Sequence, residues 1–179
     1  METEAITVGV VMQRRSLHNR WQSQQWRPLE VTSDLGAAQR SALCLRNGSA
    51  DGDVGDDMRW LFFPGFDIKL FSDEAEGYFL NISAALPCWF IMWRMEPIDD
   101  LDVAVPKTVT LSYNEAARLM DGGEQVDTLP ASSDIIEWLA AFVAEHYRPE
   151  PKHKRKKPSF EGGAAVEQMA KAEGSGHGG

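Results

Sequence analysis

Apolar positions between Phe66 and Met95 fall into three runs. Phe66, Ile68 and Leu70, then Tyr78, Leu80 and Ile82, alternate with polar or small residues, the period of two of half-buried strands. Residues 72–77 between them are polar, which predicts a turn joining the two strands as a hairpin. Pro87 then breaks the chain before residues 88–95, where Trp89, Ile91 and Trp93 fall on one face and Cys88, Phe90 and Met92 on the other. Both faces are apolar, so this run predicts a central strand.

The same periodicities extend along the chain. Residues 5–12 and 24–32 read as strands, the first ending before Arg14 and Arg15, and residues 40–45 as a short third. Residues 46–57, RNGSADGDVGDD, have almost nothing to bury and predict a loop. Residues 58–63 predict a strand turning at Pro64-Gly65 into the next. An acidic linker with Pro97 spans 96–102, and 107–111 reads as the last strand. Ser112 with Glu115 has the spacing of a helix start, opening 113–120 before Asp121-Gly122-Gly123. After a connector at 126–130, Ser132, Ser133, Asp134 and Glu137 open a helix over 133–147. Ile135, Leu139, Phe142, Val143 and His146 recur there at three and four residues, with Trp138 beside the stripe. Strands first and helices last predict an α+β fold: a mainly antiparallel β-barrel or sandwich of six to eight short strands with C-terminal helices packed on it.

A chain of 179 residues, 43% hydrophobic, can bury one sizeable core, so residues 1–149 are expected to form a single domain. Net charge is −9 and unevenly spread: residues 1–149 carry −11 and residues 150–179 carry +2. The acidic body argues against nucleic-acid binding. Residues 150–179 hold Lys154, Arg155, Lys156 and Lys157 between two prolines, then Phe160 and a Gly-rich end. This predicts a disordered tail with a short motif for an acidic protein partner. Cys44 and Cys88 show no metal or redox spacing and are expected to be buried free thiols. The opening METEAITVGV lacks the basic start of a signal peptide, and no run reaches the ~18 apolar residues of a membrane helix, so a cytoplasmic location is expected.

Catalytic motifs are missing: there is no Gly-x-Ser-x-Gly, phosphate-binding Gly loop or His-Glu-x-x-His, so no catalytic, cofactor-binding or metal residue is assigned and an enzyme is not expected. Asp51, Asp53, Asp56 and Asp57 fail the calcium-loop spacing, which would need Gly at 56 and Glu at 62. Asp73, Glu74 and Glu76 could be an acid/base group, but without a neighbouring His or nucleophile they are read as turn residues. Arg14, Arg15, Arg20, Trp21 and Trp26 interleave cations and aromatic rings, the composition of a binding surface for a partner or a nucleotide or anion. Core tryptophans covered by Arg stems give the alternative. The same arginines with Asn81 and Ser83 partly match the pattern of cyclic-dinucleotide-binding PilZ barrels, but Leu86 stands where that pattern has Gly.

Arg14-Arg15, Asn19-Arg20-Trp21, Trp26, the run Asp73-Glu74-Ala75-Glu76-Gly77-Tyr78 with Leu80-Asn81, Glu115-Ala116, and His146-Tyr147-Arg148-Pro149-Glu150 before Lys154-Arg155-Lys156-Lys157 together carry a resemblance over most of residues 5–160. The chain resembles an uncharacterised proteobacterial family, a domain of unknown function. That family's genes lie in clusters for molybdenum- or tungsten-dependent formate dehydrogenase. The resemblance implies a non-enzymatic accessory protein whose partner is a formate dehydrogenase subunit or assembly factor. A small-ligand (nucleotide or anion) binding β-domain is the alternative.

Overall fold

The structure, a computed structural model, describes residues 5–17, 20–33, 44–49 and 57–149, with only the backbone of 44–49 and 57–58. The basic run and Phe160 of the expected tail motif, the aspartates at 51, 53 and 56, and the expected strand at 40–43 lie outside the described residues.

Among the described residues seven strands and three α-helices follow one another in an α+β arrangement: β1 (Ile6–Ser16), β2 (Gln24–Thr32), β3 (Cys44–Ser49), β4 (Asp57–Ile68), α1 (Ala75–Ile82), β5 (Cys88–Ile98), β6 (Leu101–Thr110), α2 (Tyr113–Asp121), β7 (Gln125–Pro130) and α3 (Ser133–His146). The described strands form two antiparallel sheets, of order β2-β1-β4-β3 and β6-β5-β7. Pairing therefore does not close into a barrel among the described residues. Val8, Val10 and Met12 from β1 share one core with Ile68, Leu70, Tyr78, Trp89, Ile91, Val109 and Leu111. Leu139, Phe142 and Val143 of α3 complete it, as the helical stripe predicts.

The expected hairpin at 66–82 is a strand end followed by helix. Residues Ser72–Glu74 form a 3-10 turn that leads into α1, and Tyr78, Leu80 and Ile82 are helical. Alternation misleads here because burial follows a period near three: Ala75, Tyr78 and Asn81 are buried, while Phe79 and Leu80 are partly exposed. Asp73, Glu74 and Glu76 stand in the first turns, where the helix dipole favours negative charge.

Nor does Pro64-Gly65 turn the chain. β4 runs straight through it, and the pair together faces Gly9, since Val8 pairs with Phe66 and Val10 with Phe63. This is a bulge, with Gly65 at φ +90° supplying the left-handed residue. Gly9 is needed opposite, because a Cβ there would lie 2.3 Å from the Phe62 ring.

Residues 88–95 do form the central strand of their sheet, with Trp89, Phe90, Ile91 and Met92 buried. The expected linker at 96–102 is instead the tip of a β5–β6 hairpin, closed by the Ile98–Leu101 pair around Asp99 and Asp100, both at positive φ (49° and 64°). A two-residue loop of that hand matches the strand twist. Pro97 costs no ladder bond to β7, which pairs with β5 only from Cys88 to Trp93. The last stretch before α2 thus begins at Leu101 rather than 107, and the connector at 126–130 is the edge strand β7. Likewise, residues 46–49 of the expected loop belong to β3.

Candidate functional site

Two polar regions compete for the role of a site. The first is the acidic run 73–78. Glu74 accepts a hydrogen bond from the Ser112 hydroxyl at 2.6 Å and forms an ion pair with Arg118. The same Ser112 oxygen accepts the Glu115 N–H at 3.1 Å and so caps α2. The Glu115 carboxylate accepts from the Thr110 hydroxyl at 2.5 Å, which in turn accepts the Ser112 N–H. Gly77 permits this close approach, because a Cβ there would sit 2.2 Å from the Ser112 oxygen. Buried Asn81 donates to the carbonyls of Cys88 and Leu111, both at 2.8 Å, and accepts the Cys88 N–H at 3.0 Å. Tyr78 is buried, accepts the Phe71 N–H, and is pushed up to about 12 chiefly by that burial.

This motif therefore joins α1 to the start of α2 and of β5. Two of its carboxylates hold other protein groups, Glu74 on Ser112 and Arg118 and Glu76 on Asn114. Asn81 is in a glycosylation sequon by sequence, yet it is committed to backbone groups in the core.

The second region is built on the first sheet. Val8, Val10, Met12 and Arg14 share one face of β1, so the core stripe runs out at Arg14. Register sets Trp26 of β2 on one side of Arg14 and Arg59 of β4 on the other. Over this row lies the β5–β6 hairpin tip. Between them is a cleft of about 460 Å3, walled by Trp26, Arg14, Arg59, Leu61 and Phe63 below and by residues 98–103 above. A wider, shallower groove of about 820 Å3 adjoins it across Trp26, lined also by Trp21, Arg27, Trp93 and Met95.

Charges in the cleft are mixed. Arg14 and Arg59 face Asp99, Asp100 and Asp102 across it, but none of those aspartates forms an ion pair among the described residues. Other charges on the second sheet are matched: Glu96 pairs with Lys107 at 2.6 Å, and Arg94 with Glu124, which holds the Glu124 carboxyl below its usual range. In the groove the Trp93 indole donates to Asp127 at 2.6 Å and Arg27 donates to Gln13 at 2.8 Å. The rim is apolar and exposed, with Trp21 at 92%, Leu101 at 57%, Met95 at 48% and Ile98 at 42%.

Of the five surface residues read from the sequence, the structure brings Arg14 and Trp26 to the cleft and Trp21 and Trp26 to the groove. Arg15 alternates away from Arg14 on β1, and Arg20 is exposed before β2; neither lines either hollow. Sequence reasoning missed Arg59 and the hairpin tip. Alternation of Arg59, Leu61 and Phe63 was the available signal for the former, and apolar runs on both sides of Asp99-Asp100 for the latter.

Among the described residues no group of three or more His, Cys, Asp and Glu could hold a metal ion. Cys88 is a half-buried free thiol whose pKa is pushed up by burial, which disfavours the reactive thiolate. No described helix is long and apolar enough to cross a membrane.

No curated protein and no solved structure matches the chain. A protein family matches it over residues 7–156. The chain therefore belongs to the family described as a protein of unknown function, DUF3305.

Proposed function

We propose that this protein is a non-enzymatic accessory protein whose cleft and groove bind a component of a molybdenum- or tungsten-dependent formate dehydrogenase or of its maturation machinery. The observation that carries the binding role is the exposed rim, above all Trp21 at 92% exposure. Large side chains left in water beside a cleft gain free energy when a partner covers them, at about 25 cal/mol per Å2 of apolar surface. Trp and Arg are also the residues that most often dominate protein interfaces. The family resemblance supports the identity of the client.

The cleft volume supports a second reading, a small-ligand site, since 460 Å3 lies in the range of ligand pockets. A nucleotide or oxyanion attracted by Arg14 and Arg59 would, however, meet Asp99, Asp100 and Asp102 on the facing wall. A protein surface can match both signs at once, which favours the first reading.

Affinity capture of the tagged chain from formate-grown cells, with mass spectrometry, tests the proposal. Formate dehydrogenase subunits or assembly factors should be recovered with the unmodified protein and lost with Trp21→Ser/Leu101→Ser at unchanged Tm. A thermal-shift screen with nucleotides and oxyanions tests the second reading, because a ligand of the native state raises Tm. A clear rise there, with no client captured, would replace the first reading by the second.

A further inference from the structure

The hairpin tip narrows the chemistry of the partner. Its sequence from Ile98 to Asp102 sets two exposed apolar groups among three carboxylates, and the apolar groups Trp26, Leu61, Phe63 and Val103 also line the cleft. Other carboxylates on and beside this sheet already have partners: Glu96 has Lys107, Glu124 has Arg94 and Asp127 has the Trp93 indole. Asp99, Asp100 and Asp102 have no such ion pair among the described residues. They stand together on a body that carries −11 over residues 1–149.

We infer that the cleft receives an extended, basic and apolar segment of the partner protein. Its Lys or Arg side chains would meet Asp99, Asp100 and Asp102, and its Leu, Ile, Phe or Trp side chains would pack on Trp26, Leu101 and Trp21. An acidic segment would be repelled by the aspartates of the hairpin tip and by the body as a whole. A purely apolar segment would leave three carboxylates desolvated without partners, which is costly. A basic segment gains at the acidic tip and in the long-range field, where three aspartates and a body of −11 outnumber Arg14 and Arg59 on the cleft floor, so its association should be fast and weakened by salt. The inference rests on the reading of the cleft as a protein-binding site.

The test is selection of short peptides from a randomised library, balanced in Lys, Arg, Asp and Glu, on the full chain. Enriched peptides should carry Lys or Arg next to Leu, Ile, Phe or Trp. Their affinity should fall about tenfold for Asp99→Asn/Asp100→Asn/Asp102→Asn and decline with added salt. Asn tolerates the left-handed backbone at 99 and 100, and Asp102→Asn alone serves as the control that leaves the turn untouched. Enrichment of acidic or uncharged peptides, no enrichment at all, or equal affinity for the Asn variants would overturn the inference. Cellular capture separates the two claims. Clients retained by wild type and by the Asn variants alike would remove the basic-segment inference and leave the accessory role. Basic peptides bound at the aspartates with no formate dehydrogenase component captured would remove the client and keep the chemistry.

Discussion

Asn81 satisfies three backbone groups with one side chain at 2% exposure. Asn81→Ala leaves them without partners in the core and should cost roughly 2–4 kcal/mol, read from chemical unfolding. Trp89, also buried, should cost about 3–5 kcal/mol on Trp89→Ala. Trp93 is only partly buried and its indole reaches Asp127, so Trp93→Ala should cost less, and equal losses would contradict the placement of the two rings.

Tyr78 gives a pH signature. Burial pushes the phenol from its ordinary 10.0 up to about 12, so the protonated form is favoured in the native state. Stability from this group is fully present below pH 10 and declines as pH rises through about 12. Tyr78→Phe should remove that part of the alkaline decline, at a cost near neutral pH of about 1 kcal/mol for the lost acceptor of the Phe71 N–H. An unchanged alkaline profile would show that the hydroxyl is not held in the core.

At the level of elements, α2, α3 and the central strand β5 were legible because each has a strong local signal. Ser112 and Glu115 mark one helix start, a five-residue stripe marks the other, and residues 88–92 are apolar on both faces. Helix α1 was not legible. Eight residues give little room for a period to declare itself, and Tyr78, Leu80 and Ile82 fit alternation as well as they fit a turn of helix. What specifies α1 is tertiary: Gly77 against Ser112, Glu74 to Ser112 and Arg118, Asn81 to Cys88. Gly77→Ala should therefore force α1 and α2 apart and cost about 1–3 kcal/mol, seen as a lower unfolding midpoint with helix content preserved. The β5–β6 hairpin was hidden by Pro97 and by a turn made of two aspartates where Asn-Gly is the usual signal. Both are tolerated, since β7 stops at Trp93 and the tip is in solvent.

Over the whole molecule, three of the five residues in the Arg/Trp composition, Arg14, Trp21 and Trp26, come to the cleft and groove at one end of the first sheet. Composition alone could not supply the opposite wall, because register and sheet-to-sheet placement decide that Arg59 and the tip of β5–β6 face Arg14. The result is a molecule in which residues 73–78 hold helices together, while the proposed binding falls to a cleft with apolar rim and acidic tip. The most direct test is titration of purified formate dehydrogenase components into the purified full chain, by calorimetry, beside Trp21→Ser/Leu101→Ser. The account predicts saturable binding by wild type that weakens at least about tenfold in the variant, with Tm unchanged. Binding of equal strength by both would contradict the cleft, and no binding of any component by wild type would contradict the client.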